Sequence, residues 1–547
     1  MLLALFAVSL AVRSSNIWQR PLLSHNEDAT GHVLATMQGM AAAPVSVHKY
    51  LPIITLSQSP ADRDLDNFVA ASISDTAGNH FYVSFPPMGF VVPAIVFKAI
   101  GLPPSVVGLR LFSAALGLLT GCLFYVLILT LLRRSAIRDG HQVPIALGLS
   151  ALMLFNSEAL WIFGNVYWHH VLLEPIFVAI LLILARLLER PTPGPYAALM
   201  AALVLACTIE WAAFPLAAGI ALLGLHHLWR RRPGGAAMLA AGIVAPLCGL
   251  LFIAWHFSQI AGLQAYLDVL QNRASEHGWK QNAIVQAVVA MLPIYLPIFA
   301  LGIVLYRARP CTVAREPDEM AHLRAVVLPV VFCAAAGSIE AVVLLKHTAK
   351  YTYGSLPLTT LLILLLLCLT MWTRANVRLL AVGTGISIAA WTGVYFVQNP
   401  PGLSHSPFGR QFENLAVIKA RAGPDEMVFT NLYAPLGVPL AITGRNLGGA
   451  PDLPTSLPLA EMQARLARHG TAHGKLFLFD LDQEPLGQVV WWAYTKSRVV
   501  GTAERRYGPL AALVTFDRHG VTQTWVRPEA NARRILADWT AGRPVAH

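Results

Sequence analysis

The chain has 547 residues, of which 56% are hydrophobic and only 13% charged. Ordinary soluble proteins carry roughly 25% charge, so this composition excludes a soluble globular enzyme and a disordered chain and points to a polytopic membrane protein. The net charge of +11 sits in short basic clusters between apolar runs, where topology signals belong. With no zinc-finger spacing and no basic helix, no nucleic-acid partner is expected.

The N-terminal MLLALFAVSLAV is apolar from its first residue. About 12 residues precede Arg13, short of the roughly 20 that a span needs, and the basic start of a signal peptide is missing. This segment reads as a short first transmembrane helix reaching to about Trp18. A polar loop follows over 19–103, carrying Glu27, Asp28, Asp62, Asp64, Asp66 and Asp75, with a helix expected over 27–40. Segment 86–100 is apolar but short and opens on Pro86-Pro87. It reads as an amphipathic helix on the membrane surface.

Apolar runs then fall near 104–132, 143–163, 171–188, 196–209, 212–229, 237–258, 284–306, 323–346, 351–373 and 377–397. With the first segment they make about 11 spans. If 86–100 does not span and 196–229 is broken near Thr208-Ile209-Glu210-Trp211, the basic clusters Arg133/Arg134/Arg138, Arg186/Arg190, Arg230–Arg232, Arg307/Arg309/Arg315 and Arg374/Arg378 share one side, the cytoplasm. Glu210 at that break suits a water-facing corner. Residues 19–103, 164–170, about 260–283, about 346–350 and everything after 398 then lie outside. Two regions result, a transmembrane domain over 1–397 and an extracytoplasmic α/β domain over 398–547, joined by NPPGLSHSPFG (399–409). In the second, strands are expected at 427–431, 475–481 and 512–517 and helices at 459–470 and 484–497. No repeat of 20–50 residues is visible. The six cysteines show no CxxC, and five lie in apolar runs, so they read as small buried hydrophobes.

Three groups of residues could carry chemistry. Glu27 and Asp28 open the expected 27–40 helix, where acids also favour the helix dipole, so a capping role competes with a catalytic one. In GNVYWHHVLLEPIF (164–177), Glu174 sits at the lip of a span, where an acid is costly unless paired or functional. The adjacent His169 and His170 are expected to diverge on a helix and to pack in an interfacial aromatic belt. A zinc role for them with His25, His32 or His80 has no supporting spacing. In KHTAKYTYGSLP, Lys346, Lys350, Tyr351 and Tyr353 suit a phosphate head group, or anchor the chain by snorkelling. Arg273 carries the same two readings.

These pieces, in this order, resemble the GT-C superfamily of membrane glycosyltransferases, and within it the branch of protein O-mannosyltransferases and lipid A aminoarabinose transferases. The resemblance rests on HNEDATGH (25–32), FPPMGF (85–90), AIVFKAIG (94–101), LRLFSAALGLLTG (109–121), YWHHVLLEPIF (167–177) and AKYTYGSLP (349–357), and covers roughly 1–400. It implies an inverting transfer of sugar from a polyprenyl-phosphate donor to a lipid, glycan or protein acceptor, outside the cytoplasm, by a multi-pass protein of the inner (plasma) membrane. Glu27 or Asp28 would act as base, and Glu174 would take the acidic position of the family's second motif. His25, His80, Tyr167, His169, His170, Glu210, Arg273, Lys346, Lys350, Tyr351 and Tyr353 would bind substrate. No cofactor is required, although a divalent metal is compatible with the set. Asn26 stands where the family has its catalytic Asp, and an amide takes no proton. The alternatives are therefore a non-catalytic membrane scaffold of the same fold, or a transporter of lipid-linked sugars. Under the transferase reading Glu27, Asp28 and Glu174 converge on one cavity.

Overall fold

A computed structural model describes residues 1–19, 25–56, 59–63, 71–135, 137–276, 283–308, 317–344, 348, 352–373, 377–398, 409–432, 437–447, 459–482 and 506–528. The chain divides into two compact units. The first comprises Met1–Gln19, Arg110–Trp255 and His277–Pro401, and the second Arg20–Leu109, His256–Glu276 and Gly402–His547.

The first unit is helical. Among the described residues, length and apolarity single out six helices able to cross a membrane: Val106–Leu132, His169–Glu189, Gly235–Ala261, Pro317–Val343, Thr352–Thr373 and Val377–Val397. The bent pair Asp139–Phe155 and Ser157–Asn165 is a seventh candidate, and Leu2–Ser14, Pro193–Ile209, Ala213–Trp229 and Met291–Arg307 are shorter apolar helices. Leu222, Leu247, Leu251, Phe299, Ile303 and Ile386 are exposed on this unit. An apolar exterior of that kind belongs in lipid, and backbone groups bonded within helices meet the other requirement of that solvent. The chain is thus a multi-pass helical membrane protein with a C-terminal α/β region.

Two runs expected as single regular spans depart from that form. The 143–163 run bends by 62° between its two helices. Asn156 causes the break: its side chain accepts a hydrogen bond from Glu158 N at 3.0 Å, capping the second helix, and its Nδ2 donates to the Ile294 carbonyl at 3.1 Å. The 323–346 run begins earlier, as Pro317–His322, then passes through a π turn, Leu323–Val327, into Leu328–Gly337 and, past Ser338, Ile339–Val343. Pro329 has no N–H to return to residue 325, which disfavours the ordinary α register there. The break expected within 196–229 is present. Pro193–Ile209 ends at Glu210 and Ala213–Trp229 starts three residues on.

Close helix packing depends on glycine. A Cβ added at Gly242 would lie 2.5 Å from Ala221 N, and one at Gly224 2.4 Å from Leu239 N, so helices 213–229 and 235–261 approach backbone to backbone. Small residues at such contacts are how membrane helices associate without a hydrophobic drive between them.

The second unit joins the first loop to the C-terminal region. Its sheet has the order β3-β4-β5-β6, from β3 (Met427–Thr430), β4 (His473–Asp482), β5 (Arg506–Asp517) and β6 (Val521–Val526). β3 and β4 are parallel and the other pairs antiparallel. Alternation sends Val428, Phe477 and Phe479 to one face, against Leu415 and Ile418 of helix Gly409–Arg421. Met427, Phe429, Leu476 and Leu478 go to the other, against Met462 and Leu466 of helix Leu459–His469. These elements coincide with the expected 427–431, 459–470, 475–481 and 512–517, while the expected helix 484–497 lies outside the described residues. β6 was not foreseen because VTQTWV is a mostly exposed edge strand without an apolar face.

The loop elements pack onto this region. Gln38, on helix His25–Ala42, donates to the Ala441 carbonyl at 3.3 Å, and Asn446 N donates to Asp62 Oδ1 at 3.3 Å while its side chain donates to the Asp62 carbonyl. Helix Met88–Ala99 has 12 residues. That is about 18 Å of helix, well short of the roughly 30 Å of hydrocarbon, so it does not span.

Substituting Gly242→Leu forces side-chain atoms into the 213–229 backbone. We expect a loss of about 1–3 kcal/mol, read as a lower thermal unfolding midpoint in detergent, whereas the same change at Gly385, which has open space around it, leaves the midpoint unchanged.

Candidate functional site

The first unit carries a buried polar cluster where several helices end. Helix Ser157–Asn165 stops at Val166, and an extended connection leads to helix His169–Glu189. Two buried arginines hold this connection. Arg110 donates from Nε to the Asn165 carbonyl at 3.2 Å and from Nη1 to the Ile17 carbonyl at 3.4 Å. Arg13 lies against Gly164, where a Cβ would come within 2.5 Å of Arg13 Cδ. Ser113 Oγ donates to the Val166 carbonyl at 2.9 Å.

His169 and His170 occupy the first turn of the 169–189 helix and are both buried. Contrary to expectation, they do not diverge. His170 Nδ1 lies 3.3 Å and His169 Nδ1 3.7 Å from the same oxygen, Glu210 Oε2. Glu210 occupies the break beyond helix Pro193–Ile209, so both first-turn side chains reach it. Trp211 N donates to its other oxygen at 2.8 Å, fixing the carboxyl. On its far side, His170 Nε2 is 3.8 Å from Glu340 Oε2. Burial pushes the Glu210 carboxyl above the ordinary range; His170 opposes this and Glu340 adds to it. Burial likewise raises the Tyr167 phenol.

Aromatic rings enclose the imidazoles. Trp168 stacks on His169 with centroids 4.6 Å apart, and Tyr353 lies 5.5 Å from His170 and 6.0 Å from Trp168. Tyr353 sits on the short helical turn Thr352–Ser355, whose Ser355 carbonyl accepts from Tyr295 OH at 3.0 Å.

Glu174 is fully buried one turn further along, within electrostatic reach of His170. Thr360 Oγ1 donates to its Oε1 at 2.6 Å, whereas its Oε2 has no hydrogen-bond partner among the described residues. A second buried acid, Glu158, accepts from Thr352 Oγ1.

Of the residues expected from sequence, the structure thus gathers His169, His170, Glu174, Glu210 and Tyr353, with Tyr167 in the connection beside them against Phe112. His80 is in the second unit, in the hairpin of β1 (Ser72–Ser74) and β2 (His80–Tyr82), its Nε2 2.9 Å from the Arg63 carbonyl. Glu27, Asp28 and His25 lie on helix His25–Ala42 and Arg273 on helix Leu263–Glu276, but their side chains are outside the described residues, as are Lys346, Lys350 and Tyr351 altogether. The residues missed were Glu158, Glu340 and Thr360. The first two had a signal: each is an acid inside an otherwise apolar run, where a charge is expensive without a function or a partner.

The Thr360 hydroxyl is the partner of Glu174 Oε1. Thr360→Val leaves a buried carboxyl oxygen without a donor and should cost about 1–3 kcal/mol, measured as a fall in unfolding midpoint. Glu174→Gln keeps an acceptor for that hydroxyl and should cost less. Equal losses from the two would show that the bond contributes nothing.

No protein-family model and no curated protein matches the chain. Solved structures do. The chain is similar to ArnT from Cupriavidus metallidurans in the apo state, at 15% identity and a TM-score of 0.47, over 87% of this chain and 92% of that one. ArnT bound to undecaprenyl phosphate is similar at 12% identity and a TM-score of 0.38, with the same coverage. The Archaeoglobus fulgidus oligosaccharyltransferase, in complex with zinc and sulfate, is similar at 12% identity and a TM-score of 0.45, over 87% of this chain and 67% of that one.

Proposed function

We propose that the chain is a GT-C-type inverting glycosyltransferase that moves a sugar from a polyprenyl-phosphate donor to a lipid, glycan or protein acceptor at the extracytoplasmic face of the inner membrane. The observation that carries this reading is the burial of Glu174, the acid of the motif in 167–177, beside His170 and Glu210 inside an apolar helical unit. Ionisable groups kept there at a cost of several kcal/mol each are retained for function more readily than for stability. The motif order from 25 to 357 supplies the chemical class.

In this reading the carboxylate of Glu27 or Asp28 takes the proton of the acceptor hydroxyl as that oxygen attacks the anomeric carbon. The bond from that carbon to the donor phosphate breaks, and configuration inverts. A positioned base contributes about 10²–10⁴-fold to such a step. Lys346, Lys350 and Arg273 neutralise the departing phosphate. Tyr351, Tyr353, Tyr167 and the histidines, His25 and His80 included, contact the sugar or the head group. The apolar exterior of the unit accommodates the prenyl tail. The C-terminal domain stands outside the cytoplasm and engages acceptor.

Asn26 makes the identity of the base the decisive question. Glu27→Gln and Asp28→Asn, introduced separately, should give one variant whose transfer falls by about 10²–10⁴-fold with unchanged protein level. The readout is the profile of surface glycolipids and glycoproteins in cells carrying each variant. An unaltered profile in both would replace the transferase by the scaffold reading.

A further inference from the structure

We propose that His170, Glu210 and Glu340 form a divalent-cation site suited to a transition metal of mixed nitrogen and oxygen preference, zinc or manganese. The three residues come from three chain breaks: the first turn of His169–Glu189, the corner after Pro193–Ile209, and the first turn of Ile339–Val343. One donor atom from each lies within 4.8 Å of the other two. A tetrahedral site with bonds of about 2.1 Å places its ligand atoms about 3.4 Å apart. The 3.3 Å between His170 Nδ1 and Glu210 Oε2 meets that spacing, and Glu340, whose side chain is 14% exposed, is the looser arm and the side of entry.

Three further features separate this set from an ordinary ion cluster. First, Glu210 Oε2, Glu340 Oε2 and His170 Nδ1 are buried, yet none makes a hydrogen bond among the described residues. The shortest approach, 3.3 Å, exceeds the roughly 2.7–2.9 Å of a charge-assisted bond, so the atoms lie close together without satisfying one another. Second, among the described residues the carboxylates face imidazoles alone, His170 between them and His169 on Glu210, and no lysine or arginine forms an ion pair with either glutamate. A dication beside a neutral imidazole balances both carboxylates. Third, the Trp211 N–H bond to Glu210 Oε1 aims Oε2 at the ring, the kind of outer support that orients metal ligands. An imidazole in the set disfavours magnesium and calcium, which take oxygen ligands.

The site rests on the geometry of the first unit alone and stands whether or not the transferase reading does. The test uses the full chain purified in detergent, stripped with a chelator, and refilled with zinc, manganese or magnesium. Metal content by mass spectrometry should show about one zinc or manganese per chain, a raised unfolding midpoint with those ions, and no retention of magnesium. Glu210→Gln and Glu340→Gln should each weaken zinc binding by at least about tenfold. Should both variants fail to fold, cobalt(II) added to the unaltered chain should give visible absorption bands of imidazole and carboxylate coordination that zinc abolishes. No stoichiometric metal in the refilled chain, zinc binding unchanged in both variants, or a featureless cobalt spectrum would each overturn the site and leave a proton-shared histidine–carboxylate cluster in its place.

Discussion

The first unit is organised by the cost of keeping ionisable groups inside it. Glu210 receives a backbone N–H on one oxygen and two imidazoles against the other, and every chain break around it serves that arrangement. The helix that could have run from 193 to 229 stops so that Glu210 leaves the helical register. The 169–189 helix begins where both of its first side chains reach the same oxygen. A continuous helix at either place would have turned these groups toward hydrocarbon, where each costs several kcal/mol.

Pairs of donors and acceptors extend the same principle outward. Thr360 donates to one oxygen of Glu174, Thr352 donates to Glu158, and Asn156 both ends one helix and starts the next. Arg13 and Arg110, from chain segments far apart in sequence, hold the 164–168 connection and with it the start of the histidine helix. Glycines at 224 and 242 let the backbones of neighbouring helices touch, so the polar interior lies in a rigid frame. The second unit works differently. Its sheet packs a helix on each face by simple alternation, and the acid-bearing first loop is fastened to it through Gln38 and Asp62.

Much of this architecture was legible in the sequence. Apolar run lengths fixed most of the membrane helices because a hydrocarbon slab leaves a chain few other choices. The break at Glu210 followed from charge asymmetry in the loops, and period-two alternation gave the strands at 427, 475 and 512. Glu174 and Glu210 were legible as acids at costly places. The bend at Asn156 and the π turn before Pro329 were not, because each acts on one helical turn while the hydropathy of the whole run is unchanged. Edge strand β6 lacked an apolar face and so had no pattern to read.

By itself, then, the sequence determined a multi-pass helical protein with an α/β region near its end, and it marked the acids and histidines worth attention. Only the tertiary structure decided that His169 and His170 serve one carboxylate rather than diverging, and that Glu340, some 170 residues further along the chain than His170, joins them. Hydropathy and periodicity report what a residue needs from its solvent. Which distant side chain meets that need depends on where helices stop, and this is set by contacts between segments that no local pattern encodes.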